Sequence, residues 1–271
     1  MNNIYCLNKI SKIGLSVLPE KDYHITETIE DAHAILVRSA DMHEMAIPQS
    51  VLAVARAGAG VNNIPLESLA KQGVVVFNTP GANANAVAEL TIAGMLLASR
   101  DIFGGMNWVK ENKGDQDIHK TTEKAKSSFG GTELFGKSIG IIGLGAIGLR
   151  LAHLCHGLGM RVYGTKRNLT SLKKEELPEG MILVQHKEDL YPHCDFISLN
   201  LPYSQDSKHM INQESIAQMK DGVIILNFAR DGLVHETELL QAIHANKVRK
   251  YVTDFPNHHN ANTDQFLVIP H

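Results

Sequence analysis

Apolar residues in this chain fall into short runs closed by glycine, proline, asparagine or a charge. In the first part these runs are Ile4 to Leu7, Ala34 to Arg38, Leu52 to Ala57 and Val74 to Phe77. They are continuous rather than alternating, as expected of strands buried on both faces of a parallel sheet. Pro80 and Gly81 close that unit. Asn85 to Arg100 then predicts a long helix in which Val87, Leu90, Ile92, Met95, Leu96 and Leu97 cover most of the circumference. So wide an apolar surface needs cover on two sides, from a second domain or a second subunit. Lys110 to Ser128 is polar and lysine-rich with little period, and is read as a surface loop or arm.

From Gly136 the rhythm restarts. Strands are expected at Arg161 to Gly164, Asp195 to Leu199, Val223 to Phe228 and Lys250 to Asp254, with helices at Gln213 to Met219 and Glu236 to Ala245. This alternation predicts an α/β fold with a doubly wound parallel sheet, whose ligands bind beyond the carboxyl ends of its strands. Asn200, Leu201, Pro202, the stretch Asn227 to Arg230 and Asp254 occupy such ends.

The run Gly136 to Gly148 reads GKSIGIIGLGAIG and places a GxGxxG turn between a strand and a helix. Ile139, Ile141 and Ile142 form the strand, and Gly143 permits the tight turn. Gly145 lets a pyrophosphate approach the backbone, and Gly148 lets the helix Leu149 to Leu158 pack close to the sheet. Ala146 and Ile147 open that helix, where free N–H groups and the positive dipole end attract phosphates. A glycine-rich turn without a ligand is the plain alternative, and the flanking strand and helix weigh against it.

A chain of 271 residues, 44% of them hydrophobic, can bury two cores. A net charge of -3 without a basic block excludes a nucleic-acid footprint or an acidic-membrane one, leaving small-molecule work. Cys6, Cys155 and Cys194 lack CxxC spacing, so neither a disulfide framework nor a zinc site is expected, and a reducing cytoplasm is the default. No targeting segment or membrane span is read. His258 and His259 invite a metal reading, but no cysteine or carboxylate stands at ligand spacing, so no metal is expected.

Several ordered motifs now combine: ILVRSA at Ile35 to Ala40, RAGAGVNNI at Arg56 to Ile64, NTPGANANAVAEL at Asn78 to Leu90, the glycine turn, NFARDGLV at Asn227 to Val234 and VIPH at Val268 to His271. Nearly end to end, the chain resembles the D-isomer-specific 2-hydroxyacid dehydrogenases, and within them the branch acting on 3-phosphoglycerate. The resemblance implies a flavodoxin-like substrate-binding domain over residues 1–84, completed in relatives by a segment after the histidine. It also implies a Rossmann cofactor domain with a dimerisation arm over residues 85–271, a homodimer, and hydride transfer between NAD or NADP and the alpha carbon of a D-2-hydroxy acid.

Arg230 follows the apolar run Val223 to Leu226 in a glycine-containing turn, where a guanidinium can bind a carboxylate bidentately and polarise a ketone. The alternative is a surface arginine pairing with Glu236. By resemblance His271 is the acid/base, Asp254 meets the nicotinamide amide, and Leu201, Pro202 and Ala229 line the cofactor. Arg38, Ser39 and Arg56 would surround the substrate phosphate, while backbone N–H groups at Ala59 and Gly60 would hold its carboxylate.

Three departures qualify the likeness. Relatives continue past the histidine, and this sequence stops there. Relatives carry a glutamate shortly after the aspartate aligned with Asp254, where this chain reads TDFPNHHNANTD. Where relatives usually place an aspartate for the cofactor ribose, this chain has Thr165, Lys166 and Arg167, which leaves NAD and NADP both open. The reading expected from all this is oxidation of D-3-phosphoglycerate to 3-phosphohydroxypyruvate, feeding serine biosynthesis. The alternatives are an NADPH-dependent reductase of glyoxylate or hydroxypyruvate, and a dinucleotide-sensing binding protein with little catalysis.

Overall fold

The computed structural model describes residues 1–258 and 260–269, so His259, Pro270 and His271 lie outside the described residues. The chain divides into two compact units, Met1–Asn83 and Ala84–His271.

In unit 1 the apolar runs become β1 (Asn2–Cys6), β3 (Ala34–Val37), β4 (Ala53–Arg56) and β5 (Val75–Phe77), joined by β2 (Tyr23–Thr26) and the short helices α1 (Lys12–Leu15) and α2 (Leu66–Lys71). The strands form one parallel sheet in the order β2-β1-β3-β4-β5. This is the doubly wound order of the flavodoxin type, with its switch point between β1 and β3. Ile35, Val37, Val54, Met42 and Leu69 fill the core. The unpredicted β2 is a largely exposed edge strand, so no apolar run marks it.

Unit 2 opens with α3 (Ala84–Ser99), α4 (Ile102–Glu111) and α5 (Ile118–Ala125). One stripe of α3 is buried, made largely of small residues: Ala84, Val87, Ala88, Thr91, Gly94, Met95, Ala98 and Ser99. They let the helix lie close to the sheet: a Cβ at Gly94 would stand 2.9 Å from Val252. Leu90 and Ile92 pack against the same core while Leu96 stays 41% exposed.

Lys110 to Ser128 is not a loop. It holds the end of α4, α5 and a 3-10 turn, Lys126–Phe129. Asp101 caps α4 by accepting from the Gly104 N–H at 2.8 Å, Lys120 pairs with Asp117 at 2.7 Å, and Lys126 pairs with Glu123. The half-buried face runs through Ile118, Thr121, Thr122, Ala125 and Phe129. Threonines carry much of that helical period, so a hydropathy pattern does not reveal it.

The second sheet follows: β6 (Ser138–Ile142), β7 (Arg161–Thr165), β8 (Ile182–Leu183), β9 (Phe196–Leu199), β10 (Val223–Asn227), β11 (Val248–Thr253) and β12 (Phe266–Val268), with α6 (Ala146–Gly157), α7 (Gln213–Gln218) and α8 (Glu236–His244) between them. All seven strands are parallel in the order β12-β11-β10-β9-β6-β7-β8. Chain order reverses between β6 and β9, which makes their carboxyl ends the ligand-binding crevice of this topology. Among the described residues no helix is long and apolar enough to cross a membrane.

Candidate active site

The glycine turn lies at that crevice, and its three glycines are required for different reasons. Gly143 has φ +103°, a conformation L side chains rarely adopt, and a Cβ there would run into the Asn200 carbonyl oxygen. A Cβ at Gly148 would strike the Gly143 carbonyl, so this glycine sets the close packing of α6 on β6. Gly145 has open space where its Cβ would be. Only the third is left bare on the side where a ligand approaches.

Gly145 is also the N-cap of α6, provides no capping side chain, and is followed by a first turn without an acidic residue. The amide donors of Ala146 and Ile147 at this end suit an anion from outside the chain. A cavity of about 660 Å³ begins here, lined by Gly143, Gly145, Thr165, Lys166, Arg167, Leu201 and Pro202 among others. An open glycine cradle, an uncapped helix start and a large cavity lined by both apolar and charged residues at a switch point fit a dinucleotide.

At the far end of β7, Thr165 is buried and its hydroxyl donates to the Gln185 carbonyl at 3.4 Å. Lys166 is half-buried and Arg167 is exposed, its guanidinium 3.8 Å from Asp206.

Arg230 is exposed just beyond β10, and its guanidinium donates to the Ala229 carbonyl at 2.6 Å. It is not recorded in an ion pair with Glu236, whose carboxylate accepts from the Asn257 amide at 2.5 Å. What fixes the Arg230 loop is Asn227, fully buried at the end of β10. Its side-chain oxygen accepts from the Ala229 and Arg230 N–H groups at 3.2 and 3.3 Å, and its amide donates to the Arg230 carbonyl at 2.9 Å and the Tyr251 hydroxyl at 3.0 Å. Burial raises the Tyr251 phenol well above its ordinary range, so it stays a neutral partner. Asn227 as a positioning residue was missed in the sequence; the available signal was a polar amide ending an otherwise apolar strand.

Ala229 and Asp254 stand at the ends of the neighbouring strands β10 and β11, and neither lines the cavity. The stretch after Asp254 is closed by a reciprocal pair, in which the Asn257 and Asn260 N–H groups each donate to the other's side-chain oxygen at 2.9 and 2.8 Å. Asp264 is exposed. The acid/base candidate His271 and the metal candidate His259 lie outside the described residues.

In unit 1, Arg38 and Arg56 stand at the carboxyl ends of adjacent strands, where Val37 and Arg56 are register partners. Arg38 is exposed. Arg56 turns back on its own surroundings, donating from Nε to the Arg38 carbonyl at 3.0 Å and from Nη1 to the Gly60 carbonyl. The Ala59 carbonyl accepts from the Asn78 amide at 2.7 Å. The N–H groups of Arg38, Ser39 and Ala40 converge on one atom, the side-chain oxygen of Asn8, at 2.8, 3.1 and 3.1 Å. Nothing in the pattern around Asn8 announces this role.

Comparison with known proteins gives the family. The model of the D-isomer specific 2-hydroxyacid dehydrogenase NAD binding domain matches residues 92–271. A D-3-phosphoglycerate dehydrogenase of Methanocaldococcus jannaschii is 34% identical over 256 residues, 93% of this chain and 46% of the relative. A hydroxypyruvate reductase of Thermotoga maritima is 36% identical over 234 residues, 84% of this chain and 70% of the relative. A 3-phosphoglycerate dehydrogenase of Entamoeba histolytica solved with NAD+ shares the fold at a TM-score of 0.74 and 26% identity, over 99% of this chain and 86% of that one. The chain spans about half the length of the first phosphoglycerate dehydrogenases it matches. It belongs to the D-isomer specific 2-hydroxyacid dehydrogenases and carries their NAD-binding domain.

Proposed function

We propose that the chain is the dehydrogenase part of a D-3-phosphoglycerate dehydrogenase, interconverting 3-phosphoglycerate and 3-phosphohydroxypyruvate in the cytoplasm. The observation carrying the substrate assignment is the pair of arginines on adjacent strand ends of unit 1, with Arg38 exposed. A phosphate with nearly two charges calls for guanidinium partners, and a short apolar hydroxy acid does not. Arg56 anchors the loop that follows it, so Ala59 and Gly60 are held for the substrate carboxylate.

In unit 2 the residues around Gly145 hold the pyrophosphate of NAD or NADP, and the bound nicotinamide supplies the site that accepts or gives the hydride. Arg230, kept in place by Asn227, binds the carboxylate and draws electron density from the ketone. His271 takes the hydroxyl proton during oxidation and returns it during reduction, a role resting on its place in the VIPH motif. Ala229 and Asp254 complete the nicotinamide end. The reading includes a homodimer, for which the exposed apolar residues Leu96, Phe103, Met106 and Val109 of α3 and α4 offer a face.

A second reading is reduction of unphosphorylated glyoxylate or hydroxypyruvate. It is favoured by the engagement of Arg56 with the Arg38 and Gly60 carbonyls, and by the 36% identity with the hydroxypyruvate reductase. Single-turnover oxidation of NADH and NADPH with 3-phosphohydroxypyruvate, hydroxypyruvate and glyoxylate separates the two. We expect turnover of the phosphorylated substrate to exceed the others by at least about tenfold and to lose that lead in Arg38→Ala, as removal of one charge-assisted partner predicts. Equal turnover of all three in both proteins supports the reductase. Nucleotide binding without turnover of any substrate supports the sensing protein instead.

A further inference from the structure

We infer that the end of the cavity beyond β7 is a subsite for a 2′-phosphate, so that the chain takes NADP(H) in preference to NAD(H). The inference rests on the dinucleotide reading and makes it more specific.

In this topology the adenosine ribose of a nucleotide seated on the Gly143–Gly148 turn lies at the end of the next strand, β7. A free ribose presents two hydroxyl groups as hydrogen-bond donors, and the matching protein group is an acceptor-only carboxylate. The end of β7 carries none: it reads Thr165, Lys166, Arg167 and Asn168. Ammonium and guanidinium groups are donors only, so they match the oxygens of a charged phosphate and leave the two hydrogens of a ribose diol without an acceptor. Thr165 adds only one uncharged hydroxyl, buried and donating to the Gln185 carbonyl, and no carboxylate.

A second segment borders the same cavity. His186 and Lys187, in the turn after β8, line the cavity together with Lys166 and Arg167. The cavity also contains Glu188 and Asp206, but each faces a cation of its own. Glu188 pairs with Lys187 at 2.6 Å, and Asp206 stands 3.8 Å from Arg167. Among the described residues Lys166 takes part in no recorded ion pair or side-chain hydrogen bond, although it is half-buried. A cation at a cavity wall without a counter-charge favours an anion over a neutral diol. The Arg167–Asp206 pair is 87% exposed on both sides, so a phosphate can exchange for the carboxylate at little cost.

The test is isothermal titration of the chain with adenosine 2′,5′-bisphosphate and with 5′-AMP, beside fluorescence titration with NADPH and NADH. The bisphosphate should bind at least about tenfold tighter than 5′-AMP, equivalent to ~1.4 kcal/mol. That advantage should shrink as salt rises. Lys166→Asp should abolish or reverse the preference while 5′-AMP affinity is kept or improved, which also reports that the variant remains folded. Arg167→Gln should reduce the preference by a smaller factor. Equal or tighter binding of 5′-AMP and NADH by the parent chain overturns the inference and leaves the dinucleotide reading standing. So does a bisphosphate preference that survives Lys166→Asp combined with Arg167→Gln. Failure of all four ligands to bind overturns both.

Discussion

The two units carry the same kind of doubly wound parallel sheet, yet they treat the backbone donors at their switch points in opposite ways. In unit 1 the N–H groups of Arg38, Ser39 and Ala40 converge on one concavity, and the chain fills it with its own Asn8 oxygen. Arg56 is likewise turned onto the carbonyls of Arg38 and Gly60. In unit 2 the corresponding donors follow Gly145, which has no side chain to cap them and open space beside it. Donors satisfied internally stabilise a loop, whereas donors left open at a helix start favour an external anion. The backbone of unit 2 is thus left open to an external anion, whereas that of unit 1 is closed by the chain's own side chains.

The largest expected effect comes from setting two glycines of one turn against each other. Gly143→Ala places a side chain at φ +103° and against the Asn200 carbonyl, so it should cost ~3 kcal/mol, the upper end of ordinary point substitutions. Gly145→Ala meets no protein atom and should leave stability within about 1 kcal/mol while weakening nucleotide binding about tenfold. Urea midpoints and nucleotide titrations on both variants check this. Equal loss of stability in the two would break the contrast between a structural and a ligand-facing glycine.

The next effect belongs to unit 1. Asn8→Ala leaves three amide donors without their shared acceptor and should lower stability by about 1–2 kcal/mol. If that acceptor stands in for an anion, inorganic phosphate should raise the melting temperature of the variant more than that of the parent. An identical response in both would mean that the concavity does not accept phosphate.

The smallest effect concerns how unit 2 is tied together beneath its site. Burial pushes the Asp195 carboxyl up, but its bonds with the Ser138 N–H at 2.8 Å and the Lys220 ammonium at 3.0 Å more than offset this and hold it below its usual range. A carboxyl with a depressed folded-state pKa contributes stability above its unfolded value near ~3.9, and that contribution disappears as pH falls through the folded value. Asp195→Asn should therefore lower the urea midpoint modestly at pH 7, and the gap from the parent should narrow as pH falls below about 4. A gap constant across that range would show that the charge itself contributes nothing.

How much of this was legible depended on burial. The residues of β6 and β10 are buried along their whole length, and both strands stood out as continuous apolar runs. The edge strands β2 and β8 are mostly exposed, so no hydropathy signal marked them. The helix α5 was hidden because threonines occupy half-buried positions and short-range ion pairs support its turns. Lys166, Arg167 and Arg230 were identifiable as chemistry because each follows an apolar strand. Asn8 was not, because its partners lie about thirty residues away at Arg38 to Ala40, and for Asn227 the distant part was its bond to Tyr251.

The sequence by itself determined the strand-and-helix alternation, the glycine turn and the charges at strand ends, since each depends on local pattern or on backbone conformations that only glycine adopts readily. The tertiary structure decided which of those groups are spoken for. Asn8 occupies the donors of unit 1, Thr165 turns to Gln185, Asn227 reaches Tyr251 as it fixes the Arg230 loop, and Gly145 leaves open space where a side chain would stand. Hydrogen bonds between residues distant in sequence form only once the sheets bring their strands together, so availability for a ligand is a property of the fold.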